Sequence, residues 1–187
     1  MNENRAPSVG FATVGNALTL SRLVLLPVII VGITTGIGSL VVAAMAATIV
    51  TDLLDGRISR RLGQASRFGG DLDSTVDFVL IYSLFIAFYA SGRLLVYQFA
   101  LIYLAMLTNL MVQLRVMGIA SSERIVHTRI GKLTGALEYG YLLFLVAREV
   151  LPRTHDVSLI NIVFFIILAA AIVLNCGSCI LHLRRPA

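Results

Sequence analysis

An all-α integral membrane protein, with six transmembrane helices and both termini cytoplasmic, is predicted by three properties of this sequence. Of 187 residues, 58% are hydrophobic and only 13% charged, at a mean hydropathy of +0.90. A soluble domain of this size carries about a quarter charged residues. The apolar residues fall into six runs near the ~20 residues that cross a ~30 Å hydrocarbon core. The basic residues, finally, are distributed unevenly between the connections that join these runs.

In chain order, residues 1–15, MNENRAPSVGFATVG, read as a short cytoplasmic N-terminal segment. The apolar run behind them is longer than a signal-peptide core and lacks a small-x-small cleavage site, so it reads as a retained span. That first span covers Leu18 to Ile33, is broken by Pro27, and ends at the small-residue turn Thr34–Gly38. The second runs from Ser39 to about Arg60, and the third from Phe68 to Ala90, closed by Ser91-Gly92. The fourth covers Leu95 to Met117, the fifth Ile130 to Val150 and the sixth Val157 to Leu183. Gly118 to His127 is the longest inside connection, and Pro152 with Asp156 marks the last outside loop. Every long segment is apolar, so residues 1–187 are expected to form a single membrane domain.

With both termini inside, the cytoplasmic side collects Arg5, Arg22, Arg57, Arg60, Arg61, Arg67, Arg115, Arg124, Arg129, Lys132, Arg184 and Arg185. Only Arg93, Arg148 and Arg153 remain for the other side. This bias sets the orientation. All the basic residues but Lys132 are arginine, a side chain whose planar fork suits phosphate. A net charge of +5 raises nucleic-acid binding as a function class. The basic residues sit at helix ends and form no soluble face, which excludes it. The lack of a long Arg/Ser-rich transit sequence favours a prokaryotic plasma membrane.

Between Asp52 and Asp77 the sequence reads DLLDGRISRRLGQASRFGGDLDSTVD, where five of the ten acids of the chain fall within 26 residues flanked by apolar sequence. An acid at mid-bilayer depth costs roughly 2.5–3.5 kcal/mol on insertion scales, so several together require a compensating partner. Asp52 lies 13 residues after Ser39, about 20 Å along a helix rising ~1.5 Å per residue. Asp73 and Asp77 lie about 6 and 12 Å beyond Gly69. An antiparallel hairpin of the second and third helices would bring both pairs to a similar depth. Asp52 and Asp55 are spaced i, i+3, and Asp73 and Asp77 i, i+4, so each pair shares one helix face. Four such carboxylates can hold two hard divalent cations, the arrangement used for chemistry on phosphate. Gly56 and Gly69 would let a diphosphate approach the backbone, and Arg60, one turn past Gly56, can fork onto phosphate oxygens. Asp71 falls off the shared face and receives no role. The alternative is an acid–arginine network that packs the helices without metal.

Taken literally, the segment is D-x2-D-G-x2-S-R-x8-G-x3-D-x3-D, formed by Asp52, Asp55, Gly56, Ser59, Arg60, Gly69, Asp73 and Asp77. It closely resembles the signature of the CDP-alcohol phosphatidyltransferases, with Ser59 where that family usually has alanine. The resemblance implies transfer of a phosphatidyl group from a CDP-linked lipid to a small polar alcohol, releasing CMP. It further implies that Asp52, Asp55, Asp73 and Asp77 hold Mg²⁺ or Mn²⁺, two ions in all, and that Asp77 is the catalytic base. Gly56, Ser59, Arg60 and Gly69 would bind the CDP-lipid.

Two flanking segments bear on the acceptor. Asn16-Ala-Leu-Thr-Leu-Ser-Arg22 resembles the N-x-L-T-x-x-R opening of phosphatidylglycerophosphate synthases, and Gly131-Lys132-Leu133-Thr134 is similar to their G-K-x-x-T segment. Arg115, Arg129 and Lys132, at the cytoplasmic ends of the fourth and fifth spans, could cage an anionic acceptor such as glycerol 3-phosphate, or act singly as positive-inside anchors. Two departures accompany this likeness. The Arg-Glu pair usual in the fourth span is absent from Ala105–Val112, and Phe78 replaces the lysine that usually follows the last motif aspartate. Asn109 and Gln113, at i, i+4, could instead read the hydroxyls of another acceptor such as inositol phosphate.

Other features carry less. Cys176-Gly-Ser-Cys179 has redox or metal spacing but no second ligand pair, and its small residues suit helix packing, including in a homodimer. Glu138 is an acid within an apolar run. His127 and His155 fall in loops. A rival from another class is a divalent-cation transporter using the same acids. It would not need Gly56, Arg60 and Gly69, and no internal repeat supports it.

Overall fold

Thr13 opens the first helix, α1 (Val14–Thr35), by accepting the Asn16 amide on its side-chain oxygen at 3.1 Å. The cap starts the helix four residues ahead of the expected Leu18, which brings Gly15 and Asn16 onto it. Pro27 lies inside α1 and does not break it, contrary to expectation. Opening a helix in hydrocarbon would strand several backbone groups, more than the one hydrogen bond a proline removes. Gly36 ends α1 at φ 75°, donating its amide to the Gly32 carbonyl, and Ile37 donates to the same carbonyl at 3.0 Å.

The computed structural model describes residues 13–63, 67–119, 129–151 and 158–183. After α1 come α2 (Gly38–Arg61), α3 (Arg67–Ala90), α4 (Val96–Ile119), α5 (Arg129–Ala147) and α6 (Ser158–Leu183). No strand occurs among the described residues. α1, α2 and the Leu72–Ala90 part of α3 are long and apolar enough to cross a membrane, while Val96–Thr108 and Leu159–Leu174 are shorter apolar runs. The protein is thus an all-helical integral membrane protein. The N-terminal segment to residue 12, the Gly118–His127 connection from residue 120 onward, and His155 lie outside the described residues, as do Pro152, Arg153, Asp156 and the basic C-terminal end.

The helices form two compact units, one ending at Ser91 and the other beginning at Gly92. In the first, α1 is the central element, and α2 and α3 each pack against it. Among the described residues α2 and α3 share no close backbone contact, so the expected two-helix hairpin is corrected to a three-helix arrangement in which both pack on α1 and meet each other through their acids. The buried positions Thr19, Arg22, Leu26, Ile29 and Ile33 form the i, i+3, i+7 stripe of α1. Val41, Ala44 and Met45 of α2 are buried with them. Close approach of α1 and α2 depends on Gly32, where a Cβ would come within 2.8 Å of Val41 Cγ2 and 3.2 Å of the Val41 nitrogen. Outward, Val24, Val28 and Val31 are exposed, so this unit buries polar groups and presents apolar ones, as hydrocarbon solvent requires.

In the second unit α4, α5 and α6 pack on one another. Tyr141 of α5 stacks on Phe164 of α6 with ring centroids 4.0 Å apart, and its hydroxyl donates to Asn161 Oδ1 at 3.1 Å. Gln98 Oε1 accepts the Leu95 amide at 3.0 Å, half of a capping box at the start of α4. Arg93, just before α4, pairs with Glu149, just after α5, so those two ends lie on the same side of the unit. Glu138 is buried in α5, and its Oε1 has no partner among the described residues.

Candidate active site

The four motif aspartates converge on one side chain that does not belong to the motif. Arg22, at mid-α1, is 1% exposed. Its Nη1 donates to Asp52 Oδ1 at 2.9 Å and also to Asp77, and its Nη2 donates to Asp55 Oδ2 at 2.8 Å and also to Asp73. Asp55 is the buried member, and its Oδ2 also accepts from the Thr19 hydroxyl at 3.0 Å. Asp52, Asp73 and Asp77 keep 43%, 39% and 46% of their side-chain surface open. The guanidinium therefore closes the inner end of the cluster, and the carboxylates face outward.

Charge decides what this cluster can do. Four carboxylates against one guanidinium leave three negative charges when all are ionised. Like charges about 4 Å apart repel by roughly 4 kcal/mol at an effective dielectric near 20. An acid–arginine network does exist here, as the packing alternative anticipated, yet one arginine cannot balance it. Asp52, Asp55 and Asp73 can each offer a carboxylate oxygen such that all three lie within 4.8 Å of one another. Hard oxygen donors in excess of the local positive charge fit a divalent cation. Asp77 stands outside that three-oxygen group and joins the others through Arg22.

Beside the carboxylates lies a cavity of about 180 Å³. Its walls include Gly56, Ser59, Arg60 and Gly69, the four residues expected to bind the CDP-lipid, together with Asp55 and Asp73. Gly15, Asn16 and Thr19 of α1 and Gly70 of α3 complete it. The Arg60 guanidinium folds back over Gly56, with Nη1 3.6 Å from where a Cβ would stand. Gly15 marks the tightest point: a Cβ there would lie 2.0 Å from Ser59 Oγ and 3.7 Å from the Asp55 carbonyl. The expected result for Gly15→Val is displacement of α1 from α2 at the cavity. Overpacking of this kind costs about 1–3 kcal/mol. Thermal unfolding in detergent checks it, and an unchanged midpoint would show that the helices separate freely there.

The family described as CDP-alcohol phosphatidyltransferase matches residues 12–176. The chain belongs to this family. The match begins next to the Thr13 cap and takes in every wall of the carboxylate cavity. Among curated proteins of this transferase family, a Drosophila melanogaster protein named "Probable cardiolipin synthase (CMP-forming)" is 42% identical over 88 residues, 46% of this chain. That stretch is 27% of the relative's length, so the chain covers about a quarter of it. No solved structure matches the chain.

Of the residues expected to meet an acceptor, only Lys132 has a described side chain. Lys132 is exposed on α5, and the side chains of Arg115 and Arg129 lie outside the described residues, as do those of Asp71, Asn109, Gln113, Cys179 and His182. Cys176 is a free, exposed thiol. What sequence reasoning missed is the contribution of α1. In the sequence reading Arg22 is an inside charge and, with Asn16 and Thr19, part of a likeness, while Gly15 falls in the N-terminal segment. The available signal was an arginine four residues into an expected span, since a charge at membrane depth marks function by default. Its spacing from Thr19 and Gly15, i−3 and i−7, places all three on one face.

Proposed function

We propose that this protein transfers a phosphatidyl group from CDP-diacylglycerol, or a similar CDP-lipid, to an alcohol acceptor and releases CMP. The observation that carries this reading is the shared cavity: the four aspartates meet at one arginine, and two of them line the same space as Gly56, Ser59, Arg60 and Gly69. Asp52, Asp55, Asp73 and Asp77 would hold Mg²⁺ or Mn²⁺, two ions. When bound, such cations neutralise a diphosphate and improve CMP as a leaving group. Gly56 and Gly69 admit the diphosphate to the backbone, and Arg60 forks onto its oxygens. Asp77 takes the proton from the acceptor hydroxyl. The hydroxyl oxygen bonds to the phosphatidyl phosphorus, and the bond from that phosphorus to CMP breaks with its electron pair leaving on CMP.

For the acceptor, glycerol 3-phosphate is the first reading, from the two flanking segments around Arg22 and Lys132. The name of the Drosophila relative favours a second, in which the acceptor is itself a lipid, phosphatidylglycerol, and the product cardiolipin. Both offer a glycerol hydroxyl near a phosphate. Arg115, Arg129 and Lys132 are proposed to face that phosphate. The whole chain is read as one domain of six spans in a prokaryotic plasma membrane, both termini and the aspartates on the cytoplasmic side, able to pair as a homodimer. Arg57, Arg60, Arg61 and Arg67 around the acids support that orientation.

Purified protein supplied with CDP-diacylglycerol and Mg²⁺ or Mn²⁺ should release CMP only when an acceptor is added. Separate arms with glycerol 3-phosphate, phosphatidylglycerol and inositol phosphate identify it. Silence in every arm, with Mn²⁺ uptake into vesicles instead, would establish the transporter.

A further inference from the structure

Arg22 meets the aspartates in an unusual way, because every proton on its two terminal nitrogens has a carboxylate. A guanidinium has five N–H donors, so only Nε–H remains, and it is buried without a partner among the described residues. On the other side, each carboxylate gives Arg22 one oxygen and, among the described residues, keeps its second oxygen free of protein donors.

Two consequences oppose each other. Without bound cations, Arg22 is the one basic side chain among the described residues that pairs with these four mutually repelling acids. A divalent cation seated by the same acids is repelled by that guanidinium and competes with it for oxygens. The orphaned Nε shows that the inward position is not ideal for the side chain itself, since a buried N–H without a partner is costly.

We propose that Arg22 is an internal counter-cation, which assembles the four carboxylates in the cation-free protein and yields part of them when divalent cations bind. Cation uptake is then an exchange against this side chain, and Arg22 is a positioning residue that lowers cation affinity while preserving the site. The inference rests on the reading of the aspartates as cation ligands.

The test uses the full chain in detergent, with Mn²⁺ binding by calorimetry and thermal unfolding with and without Mn²⁺. Arg22→Met removes the charge without supplying a hard ligand oxygen. It should unfold at a lower temperature than the parent when Mn²⁺ is absent, bind Mn²⁺ about tenfold tighter or more because a neighbouring like charge is gone, and gain more stability from it. Arg22→Lys keeps the charge with three donors and should fall between the two. Weaker Mn²⁺ binding by Arg22→Met than by the parent, or an unchanged cation-free midpoint, overturns the proposal. Should the methionine variant not fold under either condition, the lysine variant decides: parent-like midpoint and affinity overturn the proposal, whereas a lowered midpoint with a larger gain from Mn²⁺ supports it. A parent protein that binds no Mn²⁺ removes the cation reading and this inference together. A parent that binds Mn²⁺ and releases CMP, beside an arginine variant that binds it less well, removes this inference alone.

Discussion

Asp77→Asn is expected to lower CMP release by at least about 100-fold, the usual range for loss of a general base, while the protein stays folded and still binds Mn²⁺. The side chain keeps its shape, and its oxygen can still accept from Arg22 Nη1, so the hub loses one charge and no donor is orphaned. Cation binding is expected to persist because Asp52, Asp55 and Asp73 can bring their oxygens together without Asp77. On the proposed mechanism, what disappears is the acceptor for the hydroxyl proton. The substitution thus separates two roles that overlap in one residue. Measuring CMP release beside Mn²⁺ affinity reads both. More than a tenth of the parent activity in the asparagine variant would assign the base to another group.

The second large effect is expected at the opposite side of the cluster. Asp55→Asn should weaken Mn²⁺ binding by about 100-fold, since affinity at oxygen sites follows the number of ligand charges, and activity should fall with it. Asp55 is the buried acid, held on one oxygen by both Thr19 and Arg22. Removing one partner of a buried ion pair ordinarily costs about 3–5 kcal/mol because it strands the other charge. Here Arg22 keeps three carboxylates, and one source of repulsion is removed, so the loss of stability should be much smaller. The outcome that contradicts this account is a variant that unfolds readily yet binds Mn²⁺ as the parent does. Asp55 would then be a structural acid and the cations would sit elsewhere.

Much of this site was legible in the linear sequence because its signals are local. The spacings of Asp52 with Asp55 and of Asp73 with Asp77 follow from helix periodicity alone, and acids within apolar runs are conspicuous because hydrocarbon penalises them. Gly56, Arg60 and Gly69 were legible from their spacing to the aspartates, and Ser59 only through the family resemblance. Helix ends were less so. The Thr13 cap and the continuity of α1 through Pro27 depend on hydrogen bonds that the pattern of apolar residues does not encode. The acceptor side had no comparable local signal: Lys132 sits at a helix end, where an anchor and a ligand look alike.

The sequence by itself determined that the chain is helical and membrane-embedded, and that four acids lie on the faces of two helices, since composition and spacing are properties of a single segment. Only the tertiary structure decided that a third helix packs against both of those, that Arg22 on it takes all four acids, and that Gly15, Asn16 and Thr19 wall the same cavity. The physical reason is that a buried arginine and an anchoring arginine are the same letter. Which one it becomes depends on the carboxylates that other helices deliver to it, 30 to 55 residues away along the chain.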